Sequence, residues 1–229
     1  PDSIAWLLNV RGADVECAPL PHSFVILHTD GQVQWFVDPR KQVAELAEHL
    51  GNEVSSAPPE ALGAALDALA AKGASVQIDP AGAPDWAYQR LHAAGVTVIK
   101  KADPCALPKA RKNETELDGI RAAHLRDGMA LTRFLHWLSG LDGTEGITEL
   151  AAVEKLAGFR AGGAHYRGPS FDTISGAAAN GAIVHYRVTP ESDSALEAGT
   201  LYLVDSGGQY FDGTTDVTRT VAIGTPTPE

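Results

Sequence analysis

The chain has 229 residues and a formal net charge of −11, with 44% hydrophobic and 21% charged residues. That composition is ordinary for a soluble globular protein, and the length allows one large or two ordinary domains with a real core. The acidic balance argues against nucleic acid and membrane surfaces as partners, and it suits a carboxylate site that collects divalent cations.

The first half is expected to alternate strands and helices. Residues 4–8 are a short apolar run. Residues 23–29 and 32–37 are rich in β-formers and meet at Asp30-Gly31, a strong hairpin signal. Residues 42–50 carry Val43, Leu46 and Leu50 at helical spacing and stop at Gly51. Pro58-Pro59 opens another helix with Leu62, Leu66 and Leu69 on one face and Gly73 after it. A strand at 75–78, a helix at 85–94 ended by Gly95, and a strand at 96–99 complete an α/β pattern. Asp103 to Pro108 contains two prolines and is predicted to be a linker, so a domain boundary is expected near residue 110.

Beyond it, Asn113 with Glu116 three residues later forms a capping-box pattern. Leu117, Ile120, His124, Leu131, Phe134 and Leu138 continue at helical spacing to about Ser139. Thr148 is expected to cap a further helix running to about Arg160. Residues 182–187, 201–205 and 217–223 are predicted strands, so the second half is α+β with helices first. The two cysteines, Cys17 and Cys105, lie far apart and are expected to be free thiols in a reducing compartment. No apolar run reaches the roughly 18 residues that a spanning helix needs. No secretory signal is visible, but the chain opens Pro1-Asp2-Ser3 without an initiator methionine.

Chemistry concentrates in Leu203-Val204-Asp205-Ser206-Gly207-Gly208-Gln209-Tyr210-Phe211-Asp212-Gly213-Thr214-Thr215-Asp216-Val217-Thr218-Arg219-Thr220. An apolar strand ends in Asp205, and Asp216 sits where a strand pairing back on it would begin. Two carboxylates converging from adjacent strands repel unless a cation stands between them. Their oxygens suit hard or borderline divalent ions such as Mn²⁺. From spacing alone, turn residues on exposed hairpins are the favoured explanation. Asp212, beside Gly213, fits a turn well and is left out of the site. Asp205 fits a turn badly, because it directly follows Leu201 to Val204. His185 is expected at the end of an apolar strand, either facing a cleft as donor or proton carrier or buried and satisfied by its neighbours.

The run from Asp205 to Tyr210 and then Asp212 to Thr220 resembles the first metal-ligand region of the Xaa-Pro aminopeptidases, in the pita-bread metallopeptidase (creatinase–prolidase) family. Asn180 to Tyr186 resembles the strand carrying that family's substrate-site histidine. Ile4 to Gly12 resembles a stretch of the creatinase-like domain, and Lys112 to Ala122 resembles the start of the catalytic domain. The Asp-Gly-Thr-Thr-Asp-Val-Thr-Arg-Thr run points to the three-domain branch. The resemblance implies a creatinase-like α/β domain over 1–110, incomplete at its start, and the first half of an α+β pita-bread domain over 111–229.

The resemblance further implies Asp205 as a ligand of one metal, Asp216 as a bridge between two, and His185 as the catalytic-site histidine that contacts substrate near the scissile bond. The cofactor implied is a pair of divalent ions, Mn²⁺ first, with Zn²⁺ or Co²⁺ as alternatives. The implied substrates are peptides with proline in second place, the implied location is cytoplasmic, and the implied assembly is a homodimer. The family completes its ligand set with a later histidine and two glutamates, so this chain is expected to be an internal piece that is inactive by itself. Gly208 stands where alanine is frequent in the family, and no harm is expected from it. Alternatives are a prolidase acting on Xaa-Pro dipeptides, a non-catalytic binding module and a metal-free creatinase-like hydrolase. The two aspartates disfavour the last two. Trp6, Trp35, Trp86 and Trp137 are expected to pack in cores or domain contacts, His124 and His136 to be structural, and Arg219 to support a site carboxylate.

Overall fold

A computed structural model describes residues 1–225, and it divides into two compact units. The first comprises Pro1–Val15 and Pro19–Lys112, and the second begins at Asn113 and includes Glu16–Ala18. The first unit contains α1 (Asp2–Leu7), β1 (Ser23–Leu27), β2 (Val33–Val37), α2 (Ala44–Leu50), β3 (Val54–Ala57), α3 (Leu62–Ala71), β4 (Ser75–Ile78), α4 (Asp85–Ala93), β5 (Thr97–Lys100) and α5 (Ala106–Ala110). β1 pairs antiparallel with β2 across the expected hairpin, and β2 pairs parallel with β3. β4 and β5 form a separate parallel pair. Strand alternation sends Val33, Trp35 and Val37 into one cluster with Leu8 and Val10, while Phe36 enters another with Leu62, Leu66, Ala87 and Leu91.

Ile4 to Leu7 of the apolar run lie in the helix α1, and Leu8 caps its end. Two local expectations are revised in this unit. The presumed linker contains α5, with Cys105 buried before it. Two prolines did not prevent a short helix, because Pro108 falls within its first turns, where no intrahelical N–H bond is lost. Trp86 is half exposed, with the Arg90 guanidinium over its ring. Both cysteines are free.

The second unit contains α6 (Glu114–Ser139), α7 (Glu149–Ala161), β6 (Tyr166–Pro169), β7 (Ile174–Ala177), β8 (Leu201–Ser206), β9 (Gly208–Tyr210), β10 (Gly213–Thr214) and β11 (Val217–Ala222). α6 starts at a complete capping box, with Glu116 N–H donating to the Asn113 side chain and Asn113 N–H donating to Glu116, both at 2.8 Å. Its buried residues Ala123, Asp127, Ala130, Leu131, Phe134 and Leu138 form one stripe. Thr148 caps α7 through its hydroxyl. β7 and β11 flank β8, both antiparallel, while β9 lies between β10 and β6. Tyr202, Val204, Phe134, Leu138, Leu156 and Ile223 form the core beneath β8. Among the described residues, no helix is long and apolar enough to cross a membrane.

The predicted strand at 182–187 does not form. A 3₁₀ turn, Ala178–Ala182, is followed by irregular chain in which Ile183 N–H donates to the Asn180 carbonyl and Tyr186 N–H to the Ile183 carbonyl. The apolar pattern Ala182-Ile183-Val184 read as a strand, yet these residues are exposed and lie outside every sheet.

Asp127 and Arg160 tie the helices to β9. Arg160 is 2% exposed and Asp127 3%. Arg160 Nε donates to Asp127 Oδ1 at 2.7 Å, Arg160 Nη2 to Oδ2 at 3.1 Å, and Tyr210 Oη to Oδ1 at 2.8 Å. Burial opposes the Asp127 charge. Hydrogen bonds from Arg160, the Arg160 charge, and hydrogen bonds from Tyr210 and Thr215 outweigh it and hold the carboxyl below its usual value. Asp127→Asn is expected to destabilise this unit by about 3–5 kcal/mol in denaturant unfolding, because it strands a buried guanidinium. The sign with pH follows. The folded value lies below the unfolded value of about 3.9, so the contribution is fully present above that pH and lost as pH falls through the lowered folded value. The stability gap between wild type and Asp127→Asn should therefore narrow in acid.

Candidate metal centre

Asp205 is the fifth residue of β8, and its neighbours alternate in burial. Tyr202, Val204 and Ser206 face the core, while Leu203 and Asp205 face the more open side. Directly across from Asp205 stand Thr218 on β11 and Ile174 on β7. Asp216 precedes β11 by one residue and is exposed. Since Thr218 is opposite Asp205, alternation carries Asp216 toward the same face, one diagonal step away. Asp205 Oδ1 is buried and accepts no hydrogen bond. A buried carboxylate oxygen without a partner is unfavourable, and a cation at that position would relieve it.

The relation between the two carboxylates is set by a close crossing of the chain. A Cβ on Gly207 would stand 1.9 Å from the Thr215 carbonyl oxygen and 2.2 Å from Ser170 Oγ, so only glycine fits. Thr215 N–H donates to the Gly208 carbonyl at 3.0 Å, and Gly208 N–H donates to Thr215 Oγ1 at 2.9 Å. Ser170 Oγ closes the crossing by donating to the Thr215 carbonyl at 2.8 Å. The segment after Asp205 is thereby pinned to the residue before Asp216.

His185 is exposed and lies in a left-handed conformation, φ 53°, rather than at a strand end. Its segment nonetheless rises from the face that holds Asp205. Gly176 pairs with Leu203, and a Cβ on Gly176 would lie 2.8 Å from Gly181 Cα, so the 3₁₀ turn presses directly onto that face. Arg219 departs from expectation. It pairs with Val204, one residue out of phase with Asp205, and its Nη1 donates to the Thr218 carbonyl at 2.7 Å. The phase of the strand sends it away from the carboxylate it was expected to support. Asp212, left out of the site as a turn residue, forms an ion pair with Arg126.

Among the described residues, no group of three or more His, Cys, Asp or Glu side chains could hold a metal ion. Asp205 and Asp216 by themselves fall short of such a group. A cleft of about 750 Å³ lined by Arg133, His136, Trp137 and Phe159 contains none of the three predicted site residues. Glu149, Asp127 and Thr215 are polar groups around the site that the sequence did not single out. Glu149 has only the signal of an acid in the first turn of a helix.

The pattern of the Creatinase/Prolidase N-terminal domain matches residues 1–116. The chain belongs to the creatinase/prolidase family. Metallopeptidase family M24 matches residues 118–229. Aminopeptidase P2 of Arabidopsis thaliana is 37% identical over 254 residues, covering 98% of this chain and 36% of that protein. A probable Xaa-Pro aminopeptidase P of Penicillium rubens is 38% identical over 234 residues, covering 99% of this chain and 38% of that protein. The chain thus spans well under half the length of these curated relatives. The crystal structure of X-prolyl aminopeptidase from Caenorhabditis elegans, described as a cytosolic enzyme with a di-nuclear active site, matches with a TM-score of 0.89 and 30% identity. It covers 99% of this chain and 38% of that one. The fold of this creatinase/prolidase member is a creatinase-type N-terminal domain followed by a portion of an M24 pita-bread domain.

Gly207→Ala is expected to reduce the stability of the second unit by at least about 2 kcal/mol, since the backbone at Thr215 must move. Denaturant unfolding of the variant checks this, and an unchanged midpoint would count against the crossing as a constraint.

Proposed function

We propose that this chain is part of a metal-dependent aminopeptidase that removes the first residue from peptides with proline in second place. The observation that carries the reading is the buried, unpartnered Asp205 Oδ1, on the sheet face toward which alternation carries Asp216. The names of the relatives support the substrate class, and the di-nuclear site described for the nematode protein supports a pair of ions.

Asp205 and Asp216 would hold the ions, with Mn²⁺ the first choice for an oxygen-rich donor set and Zn²⁺ or Co²⁺ as alternatives. When bound, such ions lower the pKa of a coordinated water and polarise the scissile carbonyl. The two carboxylates supply negative charge and fix where the ions sit. His185 contacts the substrate near the scissile bond, its exposed ring leaving both nitrogens open to hydrogen bonding. The bond before proline has no N–H, so recognition rests on ring shape and on the carbonyl. The remaining ligands belong to other parts of a longer protein, which acts as a cytoplasmic homodimer.

The test is release of the first residue from an Xaa-Pro-Xaa tripeptide by that longer protein loaded with Mn²⁺. Asp205→Asn and Asp216→Asn should each lower the metal-dependent rate by at least about 100-fold, since ligand loss exceeds the 10–100-fold effect of outer-shell partners. Rates unchanged by either substitution would overturn the assignment. Cleavage of Xaa-Pro dipeptides with tripeptides left intact would make the enzyme a prolidase instead.

A further inference from the structure

Glu149 is the first residue of α7, and its side chain is wholly buried, at 0% exposure. A buried carboxylate needs either a cation or several donors. Glu149 takes neutral donors. Oε1 accepts from Ala177 N–H at 2.6 Å and from Asn180 Nδ2 at 3.0 Å. Oε2 accepts from Tyr186 Oη at 3.0 Å and from Ser194 N–H at 3.2 Å. The helix N-terminus adds its favourable dipole.

Two of these donors stand on either side of His185. Asn180 Nδ2 also donates to Tyr186 Oη at 3.0 Å, so Asn180, Tyr186 and Glu149 close a ring of hydrogen bonds. Between them residues 181–185 arch outward, with Ala182, Ile183, Val184 and His185 all exposed. The arch has no strand pairing of its own and ends on a non-glycine residue at φ 53°. Such a conformation carries about 1–2 kcal/mol of strain and persists only where the surroundings impose it. The surroundings here are the closed base of the arch.

We infer that Glu149 is a positioning residue: its carboxylate clasps Asn180 and Tyr186 and so holds the arch that presents His185 to the substrate. The inference rests on the proposed substrate contact of His185. Glu149→Gln keeps the shape but turns one acceptor oxygen into a donor, so it cannot satisfy both sets of donors. Tyr186→Phe removes one donor to the carboxylate and opens one side of the clasp while Ala177, Asn180 and Ser194 still meet Glu149, and it serves where the glutamine variant fails to fold.

Two measurements test the idea. Backbone ¹⁵N order parameters of this chain should fall at 181–185 from about 0.85 to below about 0.6 in either variant, while Tyr202 and Val204 keep rigid values. In the longer enzyme, kcat/KM for an Xaa-Pro-Xaa peptide should fall roughly 10–100-fold for Glu149→Gln, as for the loss of other supporting groups. In a double-mutant cycle, His185→Ala with Glu149→Gln should be no slower than His185→Ala alone. Additive losses, or an arch that stays ordered, would overturn the positioning role. A His185→Ala enzyme at full rate beside a loosened arch would instead overturn the substrate contact and leave the clasp standing.

Discussion

The second unit depends on how closely two stretches of backbone pass each other at Gly207 and Thr215. The approach leaves no volume for a Cβ, and hydrogen bonds from both sides lock it. Because β8 ends one residue before the crossing and β11 starts two residues after it, Asp205 and Asp216 inherit a fixed relation. Neither carboxylate needs a direct bond to the other for this. The backbone between them does the positioning, and it leaves Asp205 Oδ1 buried without a hydrogen-bond partner.

Two buried carboxylates support this arrangement by different electrostatics. Asp127 is paired with a guanidinium, so its charge is neutralised and its cost lies in the desolvation of both partners. Glu149 is met by N–H and O–H dipoles instead. The first network joins α6, α7 and β9 and reaches Thr215, beside Asp216. The second joins α7 to the segment that carries His185. Asp216 and His185 thus each have a buried acid close behind them through a neighbouring residue. Asp216 and His185 are exposed, as residues that meet a ligand must be, while the rigidity comes from beneath.

Much of the architecture could be read without coordinates because its signals are local. The capping box at Asn113 and Glu116, the cap at Thr148 and the Asp30-Gly31 hairpin each act within a few residues, so they determine boundaries from sequence alone. The same holds for Asp205, whose place at the end of an apolar run follows from the run itself. What only the tertiary structure decided are the features that depend on a distant partner. The segment around His185 has the composition of a strand but pairs with none, and it forms an arch closed by a glutamate far away in the chain. Arg219 lies near Asp216 in sequence, yet strand phase turns it from Asp205. Glu149 looks like any acid at a helix start until burial surrounds it with donors. Hydrogen-bond caps and periodicity are properties of a short segment, whereas sheet pairing and the solvation of a buried charge are properties of what the rest of the chain brings to it.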